Sequence, residues 1–165
     1  MAAVSNLSLR FCSMLMAFHF ALSAYFQLND PGQFQLFSDW YFWFPLYAVA
    51  CVVNLVNGVK TEEKRRKMAK FAVWLGMFLF IKVIIEDFVD EITGFWSFDM
   101  RERVVREKLG SGLVVGSMLM QLESLARPPH PSCTQVAKLG MPILVGISYS
   151  LSLFFFVFQR REMKF

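Results

Sequence analysis

Five stretches of nearly unbroken apolar sequence, each about as long as a bilayer is thick, constrain this chain more than any other feature. They run over residues 7–28, 40–57, 71–88, 109–126 and 139–158. A helix rises about 1.5 Å per residue, so some 20 apolar residues cross a hydrocarbon core of about 30 Å. Composition agrees: of 165 residues 56% are hydrophobic and 18% charged, where a soluble domain carries about a quarter charged. The chain reads as an all-α integral membrane protein, a bundle of about five transmembrane helices in a single membrane domain, 1–165.

The third run, "FAVWLGMFLFIKVIIEDF", holds eleven Phe, Leu, Ile and Val residues around Lys82. At roughly 0.3–0.6 kcal/mol each they outweigh a central lysine costing about 3 kcal/mol, so insertion is expected. The fourth, "LGSGLVVGSMLMQLESLA", carries three Gly, Gln121 and Glu123, and reads as a helix packed inside the bundle. An alternative is four spans plus an interfacial helix. The segment 89–108 reads as a charged connector with room for a short interfacial helix, 58–70 as a hydrophilic loop and 127–138 as a Pro-rich loop. The first run resembles a signal peptide in having one Arg before an apolar stretch, and is taken as a retained helix.

The formal charge of +4 is spread over juxtamembrane clusters, which suits membrane lipids as partners and argues against nucleic acid. Nine Lys and Arg fall on the amino-terminal side and seven on the other, favouring an amino terminus that faces the cytosol or matrix. The expected localisation is integral membrane, either endomembrane or mitochondrial inner membrane. Cys12, Cys51 and Cys133 are dispersed and form no C-x-x-C pair, and His130 with Cys133 makes too few ligands for a metal. No phosphate loop, dinucleotide fingerprint or metalloprotease motif is present in the sequence, so neither enzyme activity nor a cofactor is expected.

Ionisable groups within a membrane helix are functional candidates. Lys82 and Glu86 lie four apart and can pair, with Asp87 beside them at headgroup level. The stop "QLNDPG" after the first run suits a turn: Asn29 tolerates a helix end and Pro31-Gly32 fits a type II turn. Its functional reading places Gln27, Asn29 and Asp30 around an ion or polar headgroup. His19 lies mid-span. By threading, His19, Gln27, Asn29, Asp30, Lys82, Glu86 and Asp87 would form one polar cluster in one leaflet. Gly112 and Gly116, a G-x-x-x-G pair, and Gly146 with Ser150 are small residues suited to close helix packing, and leave a homo-oligomer open.

"LMAFHFALSAYFQLNDP" resembles the opening of the transmembrane protein 220 family, which begins with Leu-Met, a Phe/Ala-rich helix, then Gln-x-Asn-Asp-Pro. "FPLYAVACVVNLV", "REKLGSGLVV" and "REMKF" extend the resemblance more loosely. Gly32 stands where the family has a second acid, which weakens an ion site at that corner. The resemblance implies a small helical membrane protein and supplies no biochemical activity. The expected function is therefore a non-catalytic accessory or structural subunit of a larger membrane assembly, with other membrane protein chains as partners. A small transporter, channel or lipid-binding protein built on the polar cluster is the alternative.

Overall fold

The computed structural model describes residues 2–28, 40–56, 62–89, 102–125 and 131–159. They form five helices: α1 Ala2–Leu28, α2 Trp40–Leu55, α3 Glu62–Val89, α4 Arg103–Ser124 and α5 Pro131–Phe154, which ends in a π-helical turn, Phe155–Gln159. No strand occurs among the described residues. Three helices are long and apolar enough to cross a membrane, over Leu7–Leu28, Glu62–Val89 and Leu139–Val157.

The helices extend beyond the apolar runs, and the extensions have physical causes. Glu62–Lys70, expected as loop, is the opening of α3. Glu62 and Glu63 occupy its first turn, where the helix dipole favours carboxylates, and the Lys, Arg, Met and Ala that follow are good helix formers. Arg103–Lys108, expected as connector, forms the first turns of α4, because its charges find partners on α3. Residues 131–138, also expected as loop, open α5 with Pro131 at the first helical position, where its missing N–H costs nothing.

The helices alternate in direction. Phe20 of α1 stacks on Tyr47 of α2, Gly76 of α3 abuts Val114 and Val115 of α4, and Gly116 of α4 meets Leu144 of α5. The circuit closes where the Tyr149 hydroxyl donates to the Leu15 carbonyl at 3.0 Å, setting α5 parallel to α1. α1 packs on α2 and α5, α3 on α2 and α4, and α4 on α2 and α5 as well. The short helix α2 and the polar helix α4 thus lie against one another at the centre.

That arrangement explains the composition of each helix. In α2, Trp43, Leu46, Tyr47, Ala50, Val53 and Asn54 recur at spacings of three and four and are all buried. The outer helices turn Phe11, Phe18, Trp74, Phe78 and Ile143 outward, each at least half exposed. α5 is covered least, with 11% of its span buried against 33% for α1 and α3. α4, weakly apolar in sequence, buries Ser111, Ser117 and Gln121 against its neighbours. A polar helix is tolerable there because its side chains find hydrogen-bond partners in the bundle.

Candidate functional site

Two polar constellations are built across the helices. The first lies where α3 ends and α4 begins. Lys82 and Glu86 are 3.5 Å apart, and Glu86 also accepts from Arg103. Arg103 reaches Glu107 at 3.4 Å. Beside them Lys108 donates to Asp87 at 2.8 Å, with side chains 9% and 4% exposed. Three cations therefore face three carboxylates, and the cluster is neutral. Asp87 is buried, because α4 begins early enough to bring Lys108 over it. Tyr47 of α2 adjoins the cluster: it lies over Gly110 of α4, where no side chain intervenes, and Trp43 stacks on it. Glu107 Oε2 and Trp43 Nε1 are both buried without a hydrogen-bond partner.

The second constellation is uncharged and central. Gln121 Nε2 donates to Ser13 Oγ of α1 and to Asn54 Oδ1 of α2, each at 2.9 Å. Asn54 Nδ2 in turn donates to Ser117 Oγ at 3.2 Å and to the Ala50 carbonyl at 2.9 Å. One amide pair thereby ties α1, α2 and α4 together in a buried place.

The expected cluster divides. Lys82, Glu86 and Asp87 come together, joined by Arg103, Glu107 and Lys108. His19 does not reach them: it is half-buried on α1, its ring centroid 5.7 Å from Phe20 and 5.9 Å from Tyr149. Gln27 is half-buried near the end of α1. Asn29 and Asp30 lie outside the described residues. Among the small residues, Gly116 packs under Leu144, at 3.3 Å from where its Cβ would stand. Among the described residues Gly112 meets only Phe80, at 3.9 Å, and Gly146 meets none within 4 Å, while Ser150 is exposed. The tightest glycine contacts among the described residues are at Gly76, Gly110 and Gly140, which the spacing of small residues does not single out.

Ser13, Asn54, Ser117 and Arg103 were not legible as site residues. The available signal was two amides, Asn54 and Gln121, isolated in apolar helices, where an amide needs a partner. Among the described residues no group of three or more His, Cys, Asp or Glu is placed to hold a metal. What the charged cluster does chemically is neutralise itself: each of its carboxylates is engaged by a cation.

The model of the family described as "Transmembrane family 220, helix" matches residues 19–123, from His19 on α1 almost to the end of α4. No curated protein and no solved structure matches the chain.

Proposed function

The chain belongs to transmembrane family 220, and from that premise we propose that it is a non-catalytic accessory or structural subunit acting through helix–helix contacts in a larger membrane assembly. The observation that carries this reading is the outward arc of α5. Leu139, Ile143, Ile147 and Leu153 are exposed along it, with Gly146 and Ser150 at its middle, and no described residue lies within 4 Å of the position a Gly146 Cβ would take. Small residues between branched ones let a second helix approach closely, the way membrane helices associate when lipid is as apolar as leucine.

In this reading all five helices cross the bilayer, in an endomembrane or the mitochondrial inner membrane, with the amino terminus on the cytosolic or matrix side. The chain needs no cofactor and performs no catalysis. Pairing of Lys82 with Glu86 and of Asp87 with Lys108 weighs against the alternative of a transporter or channel, which needs such charges available to a passing ion. The test is the native size of the tagged full chain after extraction in a mild detergent, with mass spectrometry of what co-migrates. A large assembly with fixed partners is the expected result. A chain running alone or as a small homo-oligomer would overturn the accessory role.

A further inference from the structure

α3 is divided both along its length and around its circumference. Ala69, Ala72, Gly76, Leu79 and Val83 are buried on one arc, while Arg66, Lys70, Trp74 and Phe78, four apart, are all exposed on the other. At about 100° per residue these four stay within roughly a third of the circumference and climb about 18 Å. The apolar part, residues 71–88, is about 26 Å long and fills a hydrocarbon core. Lys70 therefore stands at the edge of that core and Arg66 one turn beyond, at the depth of lipid phosphates. Trp74 and Phe78 lie one and two turns inside the edge, their rings stacked with centroids 6.1 Å apart and planes at 10°. Lys67 on the same helix is paired with Glu63 at 2.8 Å, whereas Arg66 and Lys70 pair with no carboxylate among the described residues.

We propose that this face of α3 binds one anionic phospholipid of the surrounding leaflet, its phosphate held by Arg66 and Lys70 and an acyl chain lying along Trp74 and Phe78. Charge complementarity selects the headgroup: two cations one turn apart, with no carboxylate paired to them among the described residues, match a lipid that carries net negative charge. The stacked, exposed rings present apolar surface directly below, so headgroup and chain are engaged along one face of the helix. The proposal rests on the bilayer placement of α3 and is independent of whether the chain has protein partners.

The test is native mass spectrometry of the full chain in mild detergent, with phosphatidylserine or phosphatidylcholine added. Each cation near an anionic lipid contributes about fivefold, so Arg66→Gln/Lys70→Gln is expected to lower phosphatidylserine retention about thirtyfold while phosphatidylcholine retention holds. Arg10→Gln, which removes an exposed cation from α1, is expected to change neither. All three positions are exposed, so the variants keep the wild-type melting temperature. Absence of any phosphatidylserine preference in the wild type, or an Arg10→Gln loss equal to that of the double variant, would overturn the site. These readings are taken on the isolated chain, so they stand apart from the co-migration result that decides the accessory role.

Discussion

Asp87 and Lys108 show at single-residue scale how a charge survives inside a membrane helix bundle. Bonded at 2.8 Å and almost wholly buried, each relieves the desolvation of the other. Removing one partner strands a buried charge, so Asp87→Asn is predicted to destabilise the bundle by about 3–5 kcal/mol, with Lys108→Met comparable. The double variant Asp87→Leu/Lys108→Met is predicted to recover most of that loss, since an apolar pair of similar volume is often neutral. Unfolding titrations in mixed micelles measure all three, and a double variant worse than either single one would show that the pair does more than neutralise itself. Gly110 makes a sharper residue-scale case. A Cβ there would run into the Tyr47 hydroxyl, so Gly110→Ala is predicted to cost about 1–3 kcal/mol. Adding Tyr47→Phe removes the obstructing oxygen, and melting temperatures should show that Gly110→Ala costs less in that background.

At the scale of elements, α4 resolves a conflict that its sequence presents. Gln121 weakens α4 as an independent span, yet in the bundle its amide joins Ser13 and Asn54 at 2.9 Å. Gln121→Leu is therefore predicted to act in opposite directions on two measurements. Insertion of the isolated α4 segment, read by glycosylation mapping, should improve, while the folded chain loses about 1–2 kcal/mol because interhelical hydrogen bonds in membranes contribute about 0.6 kcal/mol each, at most about 1.7. Both moving together would contradict the central placement of the amide. The same helix marks how far the sequence could be read. The apolar runs located all five helices, because hydrophobic length is a local property. The charged starts at Glu62 and Arg103 were hidden, because they read as loop until their helix-forming composition or partners on another helix are known. In the candidate site, spacing on one helix supplied the Lys82–Glu86 pair. Arg103 on Glu86 and Lys108 on Asp87 depend on where α4 begins, and a long-range pairing of that kind leaves no periodic trace. His19 was grouped with the α3 charges by depth alone, and depth does not say which helices are neighbours.

For the whole molecule, the question is whether the outward surfaces meet lipid or protein. α1 and α3 present large apolar side chains along their outward turns, Phe11, Met14, Phe18 and Leu22 on one and Trp74, Phe78, Ile81 and Ile85 on the other; apart from the lipid site proposed on α3, lipid chains cover such a surface without any particular fit. α5 differs, because Gly146 and Ser150 interrupt its outward arc of Leu139, Ile143, Ile147 and Leu153. A groove of this kind gains little from lipid and much from a helix seated in it, since close packing is the main attraction left between helices in a bilayer. Gly146→Leu separates the two cases cleanly. No described residue lies within 4 Å of the new Cβ, so the isolated protein should change stability by no more than about 0.5 kcal/mol. If a partner helix occupies the groove, the leucine holds it away, and the native assembly seen in mild detergent should shrink to the size of the single chain. Gly116→Leu is the counterpart, because it faces Leu144 within the bundle at 3.3 Å and should lower the melting temperature itself. An assembly that withstands Gly146→Leu would place the α5 arc against lipid and move the contact surface to α1 or α3, where aromatic and aliphatic side chains such as Phe18, Leu22, Phe78 and Ile81 are exposed.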